Sequence, residues 1–168
     1  MNLQTIVDIS QIAAALTVIG GTFFALMQLT EFRKQRREVV AGELMRTFMT
    51  PEFTDALTVV MRLPDNITAE GLRNFGVETE KAAVLVETTF ETIGLLTFER
   101  ITPFNLVLDL SGGTAVQMWS KLGAWIKDLR IESNMPSEGE WFQWLAEQCI
   151  DRKPKTAPAY VMHRTWTP

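Results

Sequence analysis

The chain has 168 residues, with 16 basic and 20 acidic side chains and a formal net charge of −4 at pH 7. Nucleic acid is not expected as a partner, because phosphate binding needs a broad basic surface. The single cysteine, Cys149, excludes an internal disulfide framework and fits a reducing compartment. The spacing of apolar residues is helical with almost no strand-like alternation, which predicts an all-α fold.

The first notable stretch is 9–29, which is mostly apolar and carries no charged side chain. As a helix it would be roughly 31 Å long, at about 1.5 Å per residue, which matches the hydrocarbon thickness of a bilayer. A secretory signal peptide would need basic residues before the stretch and a cleavage site after it, and neither is present. A buried core helix would usually have a polar face. The stretch is therefore predicted to be a transmembrane helix.

The orientation of this span follows from its flanks. Arg33, Lys34, Arg36 and Arg37 come directly after it, whereas residues 1–8 contain no lysine or arginine. Because basic residues near a span stay on the cytoplasmic side, we expect the N-terminus outside and the rest of the chain inside the plasma (inner) membrane. The same cations would attract anionic lipid head groups of the bilayer.

Small side chains recur every four residues within the predicted span, at Ala13, Thr17, Gly21 and Ala25. Transmembrane helices associate through close backbone approach along such a stripe. The stripe predicts a contact with copies of this chain or with other membrane protein subunits.

A juxtamembrane helix is predicted over 30–49, since this segment has no proline and only one glycine. A helical domain is expected over 50–150, followed by an extended tail with prolines over 151–168. Thr50 before Pro51 is a strong helix start. Thr68 is a further candidate N-cap, and the longest helix of the domain is predicted from about Glu78 to Arg100.

Two further boundaries are predicted in the second half of the domain. Ser111-Gly112-Gly113 is expected to end a short helix that begins after Pro103, so that a new helix runs from Thr114 to Glu132. Ser137 and Glu140 have the spacing of a capping box, which predicts the start of the last helix.

Aromatic side chains are the best candidates for partner contacts. Four tryptophans fall between residues 119 and 144, more than a small core needs, and tryptophan is favoured at interface centres. Trp125 and Trp144 are offset from the apolar stripes, and Tyr160 and Trp166 make the tail unusually apolar. These four residues are predicted to contact a partner.

No arrangement of residues demands a particular reaction. Glu80, Glu87 and Glu91 share one helix face, but a metal site built on facing helices also wants a Glu-x-x-His motif, and the one histidine, His163, lies in the tail. Cys149 and His163 would act together only if the tail folded back. We therefore predict no catalytic, cofactor-binding or metal-binding residues and no cofactor.

Several short motifs resemble, in their order, a bacterial family of N-terminally anchored proteins known only as a domain of unknown function. The motifs are TPEF at 50–53, FETIGLL at 90–96, IKDLR at 126–130 after Trp119, and WFQWLAE at 141–147. The resemblance covers roughly residues 5 to 150. It implies a helical cytoplasmic domain and brings no catalytic residues.

The features together favour a membrane-anchored protein-interaction module, a scaffold or accessory subunit of a membrane complex or a self-assembling ring, rather than an enzyme. The alternative is a membrane-tethered enzyme or small-ligand sensor with a pocket between the helices, most plausibly built from Glu87, Glu91 and Arg100. An ion-conducting oligomer is a weak third reading, because the span has no ionisable residue to line a pore.

Overall fold

The structure is a computed structural model that describes residues 17–29, 31–32, 39–40, 42–43, 46–152 and 157–167. Within these ranges every regular element is an α-helix, which confirms the all-α prediction. The chain divides into two compact units, Met1–Gly42 and Glu43–Pro168.

In the first unit, residues 17–29 are helical and their side chains are exposed. The Thr22 hydroxyl donates to the Val18 carbonyl oxygen at 2.8 Å, so its polar group is satisfied inside the helix. None of the helices within the described ranges combines the length and apolar character that crossing a membrane requires. Residues 9–16 of the predicted span lie outside the described residues.

The second unit is a helical domain with a short helix in its tail. Its helices are α1 (Pro51–Met61), α2 (Ala69–Asn74), α3 (Val77–Phe98), α4 (Phe104–Glu132), α5 (Glu140–Arg152) and α6 (Ala159–Met162). The central helix α3 packs against α1 and α5, and α4 packs against α5.

Local capping signals set the starts of α1 and α2, as predicted. The N–H of Phe53 donates to the Thr50 hydroxyl oxygen at 3.4 Å, and Pro51 fills the first helical position. The N–H of Gly71 donates to the Thr68 hydroxyl oxygen at 3.1 Å. Each hydroxyl satisfies a backbone donor that has no partner within its own helix.

The predicted break at Ser111-Gly112-Gly113 is wrong, because α4 runs through it as one helix. The Ser111 hydroxyl donates back to the Val107 carbonyl oxygen at 3.1 Å. A Cβ at Gly112 would lie 3.2 Å from the Cys149 sulfur on α5. The glycine thus permits a close helix crossing, and this packing overrides its weak helix propensity.

The N-terminus of α5 is capped by tertiary structure. Glu140 is the first helical residue, and the N–H of Phe142 donates to Oε2 of Glu91 on α3 at 2.7 Å. The predicted capping box marks the right region of the chain. The carboxylate that satisfies the orphan donor, however, comes from another helix.

Aromatic rings form the centre of the core. Phe90 is fully buried, with its ring centroid 5.2 Å from that of Phe142 and 6.2 Å from that of Phe53. Phe48, from the helical residues before α1, lies 6.1 Å from Phe90 by the same measure. These contacts join α1, α3 and α5 around one ring.

The tail is not wholly extended as predicted. Residues 151–152 are the last residues of α5, and Pro158 precedes the four-residue helix α6. All the described tail residues, 151–152 and 157–167, are exposed. Proline suits the start of a helix because its fixed φ fits the first turn and its missing N–H is no loss there.

Candidate functional site

The N-terminal helical segment, residues 17–29, presents large apolar side chains on most of its circumference, and the remaining side carries Thr17, Gly21, Ala25 and Gln28. The large apolar side chains are between 56% and 68% exposed and comprise Val18, Ile19, Phe23, Phe24, Leu26, Met27 and Leu29. Large apolar side chains that lie next to one another on an exposed surface are typical of a contact with a protein or a membrane.

The small-residue stripe lies partly in this helix. Thr17, Gly21 and Ala25 are helical and exposed, and Ala13 lies outside the described residues. A Cβ at Gly21 would meet no atom within 4 Å. The topology and head-group candidates, Arg33, Lys34, Arg36 and Arg37, also lie outside the described residues.

The second surface is the side of α3 that faces away from the core, here called the α3 outer face. It is formed by Val77, Lys81, Val84, Leu85, Thr88 and Thr92, which recur at helical spacing. Val77 and Val84 are 62% and 50% exposed. Two shallow cavities lie along it, one of about 430 Å³ beside Val84 and one of about 260 Å³ beside Thr92.

The core side of α3 is apolar as well, with Ala83, Val86 and Phe90 fully buried. The α3 outer face therefore carries three further apolar residues, Val77, Val84 and Leu85, which are exposed in the described part of the chain and stand among the polar residues Lys81, Thr88 and Thr92. Single exposed apolar residues are ordinary, but neighbouring ones on one helix face are typical of a contact surface.

Glu87 is the most unusual ionisable group of the domain. It is 8% exposed, and its Oε2 accepts a hydrogen bond from the Thr88 hydroxyl at 3.1 Å. A Cβ at Gly139 would lie 3.5 Å from its Oε1, so the carboxyl group faces the turn between α4 and α5. Within the described part of the chain it forms no ion pair.

Burial raises the pKa of Glu87 to about 7, because charge is costly away from water. The Thr88 hydrogen bond opposes this shift of the pKa, and the carboxylates of Glu91 and Glu138 add to it. The group is a buried acid that has no ion-pair partner among the described residues.

The three side chains proposed for a ligand pocket do not converge. Glu87 lies against the α4–α5 turn, and Glu91 accepts the Phe142 N–H. Arg100 follows the other end of α3, about 14 Å further along the helix axis from Glu91 at 1.5 Å per residue. In the described ranges, no three acidic, cysteine or histidine side chains are grouped as metal ligands.

The four aromatic candidates for partner contact lie in different environments. Trp125 is 6% exposed and belongs to the core, beside the buried Leu122 and Ile126. Trp144 is half-buried, and Tyr160 and Trp166 are exposed in the tail. Only the last three present surface on which a partner could dock.

Comparison with known proteins gives a family and no activity. No curated protein and no solved structure matches the chain significantly. A family model does match, over residues 6–149, and its description is Domain of unknown function (DUF4760). These are nearly the residues over which the resemblance was expected. The chain therefore belongs to the DUF4760 family, a domain of unknown function.

Proposed function

We propose that the protein is a membrane-anchored protein-interaction module, with a span at residues 9–29 and a cytoplasmic helical domain that binds a subunit of a membrane complex. The observation that carries the proposal is the helical segment 17–29, which has no charged residue and whose seven large apolar side chains are all exposed. Added to the uncharged residues before it, this segment has the length of a bilayer span.

The orientation comes from the basic residues that follow the segment. Arg33, Lys34, Arg36 and Arg37 would hold that end on the cytoplasmic side. The domain then lies in the cytoplasm, where a buried thiol such as Cys149 stays reduced.

The domain offers the α3 outer face to its partner. Val84 and Leu85 lie at the middle of this face. Val84 is 50% exposed and Leu85 is 38% exposed. A partner helix with an apolar stripe would bury them, as in other helix–helix contacts. Trp144 and the tail aromatics Tyr160 and Trp166 are additional contacts in this proposal.

Membrane integration is tested by double arginine substitution. Arginine at Ile19 and Phe23 places two charges near the middle of the span, each costing about 3 kcal/mol there by insertion scales. The wild-type chain should stay in the pellet after extraction of membranes at high pH, and the variant should be released. Arginine at Val59 and Met61, two exposed apolar residues of α1, is the matched control and should leave the chain in the pellet. Release of the wild-type chain would contradict the anchor.

The partner surface is tested by photocrosslinking in intact cells. A photoreactive residue at Val84 should give one discrete adduct with another membrane protein, identified by mass spectrometry. The same residue at Asn105, exposed on α4, is the control and should give none. Equal adduct yields at both positions, or none at Val84, would remove the α3 outer face from the proposal.

A further inference from the structure

A cavity of about 390 Å³ lies where the end of α3, the start of α4 and the end of α5 meet. This volume is in the range of small-molecule sites, about 300–1,000 Å³. Its walls include Phe98, Arg100, Phe104, Trp144, Gln148 and Arg152. The cavity is thus aromatic and cationic at once.

We propose that this cavity binds a small organic anion that combines a flat ring with a carboxylate or phosphate group, attached to the ring directly or through a short linker such as a sugar. The arginines would hold the anionic group, and the aromatic side chains would pack against the ring. This function is separate from the contact of the α3 outer face with a protein partner, and Trp144, an additional contact in that proposal, is the residue that the two share.

Charge is the first argument. Arg100 and Arg152 line the cavity, and none of the described residues in its wall is acidic. Within the described part of the chain, neither guanidinium forms an ion pair. The acidic neighbours in sequence, Glu99 and Asp151, are exposed and are not part of the wall. Guanidinium groups bind carboxylates and phosphates through paired hydrogen bonds.

The second argument is that the walls are held in place. The Arg152 guanidinium carbon lies 4.3 Å from the centre of the Phe104 ring, a cation–π contact. Phe98 packs at 4.5 Å between ring centroids on Trp141, and edge-on at 5.7 Å on Trp144. A flat ring entering the cavity would find aromatic surfaces already ordered.

The third argument comes from the backbone of Arg100. Helix α3 ends with the N–H of Ile101 donating to the Leu96 carbonyl oxygen at 3.0 Å, and Arg100 has a φ of 57°. Glycine is the usual residue at such a left-handed C-terminal position, because a side chain there is strained. The fold alone would favour glycine, so the arginine side chain is expected to serve the cavity it lines.

Arg100→Gly is therefore a suitable test, because it removes the cation and also removes the backbone strain at this positive φ, so that loss of binding would not follow from loss of folding. The full chain, purified in a non-ionic detergent, would be titrated calorimetrically with adenosine monophosphate, benzoate, inorganic phosphate, adenosine and a short-chain phosphatidylglycerol. Quenching of tryptophan fluorescence would report that the ligand approaches one or more of the five tryptophans. Thermal unfolding would confirm that the variants fold.

We expect saturable binding of adenosine monophosphate or benzoate, at least tenfold tighter than inorganic phosphate or adenosine. Arg100→Gly and Arg152→Gln should each weaken it at least tenfold, whereas Lys127→Gln, which removes an exposed cation elsewhere on α4, should not. Absence of binding by both ring-bearing anions, or binding unchanged in both arginine variants, would overturn the proposal. Binding of phosphatidylglycerol alone would also overturn it, in favour of a lipid head group.

Discussion

Replacing Glu87 by glutamine is expected to remove a large pH dependence from the stability of the domain. Burial raises the pKa of this carboxyl group from 4.5 to about 7 in the folded chain. The folded state then binds the proton more tightly than the unfolded state. The contribution of Glu87 to the unfolding free energy is therefore fully present below about pH 4.5, and this contribution is lost as the pH rises through 7. The gap between the two pKa values corresponds to roughly 3 kcal/mol of unfolding free energy.

Glutamine keeps the shape of the side chain and an oxygen that can accept the Thr88 hydroxyl hydrogen bond. It carries no charge to repel Glu91 and Glu138. At pH 8 the Glu87→Gln variant should therefore be more stable than the wild type, by up to roughly 3 kcal/mol. At pH 4.5, where Glu87 is protonated, the two proteins should have nearly equal stability.

Urea unfolding followed by circular dichroism, at intervals from pH 4.5 to 8, measures both effects. Glu99→Gln is the matched control, because Glu99 is exposed at the end of the same helix. Its stability should follow the wild-type pH profile. Parallel pH profiles for Glu87→Gln and the wild type, or a less stable Glu87→Gln at pH 8, would refute this account of the buried carboxyl group.

Three other substitutions test the packing and the span. Gly94→Ala should lower the unfolding free energy by about 1–3 kcal/mol, because the new Cβ would lie 2.2 Å from the Trp141 carbonyl oxygen. Phe90→Ala should lower it by about 3–5 kcal/mol, since the ring is fully buried at the centre of the core. Gly21→Ile should weaken lateral association of the span at least tenfold in a resonance energy transfer assay in membranes, because it fills the small-residue stripe.

Each of these has a matched control in the same chain. Gly71→Ala meets only side-chain atoms at 3.2 Å and should change stability little. Phe75→Ala removes an exposed ring and should cost far less than the change at Phe90. Gly20→Ile, like Gly21→Ile, meets no atom within 4 Å, but it lies off the stripe. Equal loss of association in both glycine variants would argue against the stripe as the contact.

Local signals made the starts of α1 and α2 predictable from the sequence. Thr50 before Pro51, and Thr68, act on backbone donors only three residues away, so no tertiary information was needed. The all-α fold followed from periodicity for the same reason. Features fixed by contacts between helices were not recoverable in this way.

Three such features stand out. From the sequence Gly112 is expected to end a helix, but in the structure it allows Cys149 of α5 to approach α4 closely. Glu91 is expected to be a solvated side chain, but it accepts a hydrogen bond from the N-terminus of α5. The apolar stripe of Trp119, Leu122, Ile126 and Leu129 predicts that Trp125 lies beside the core, but the buried side of α4 is wider than this stripe and includes Trp125. Met118, Leu122 and Trp125 recur at steps of four and three and are all buried. Ala83, Glu87 and Phe90 also recur at steps of four and three, and this spacing places Glu87 on the buried side of α3.

The proposed role, an anchored module that binds a membrane subunit, is tested most directly by native mass spectrometry of the chain released from its own membranes in mild detergent. We expect the chain that the detergent extracts from the membrane to be bound to a second membrane protein. Substitution of Val84 by glutamate on the α3 outer face should dissociate that complex while the chain stays membrane-bound. A chain found in the soluble fraction, or a monomer with no bound protein, would contradict the proposal.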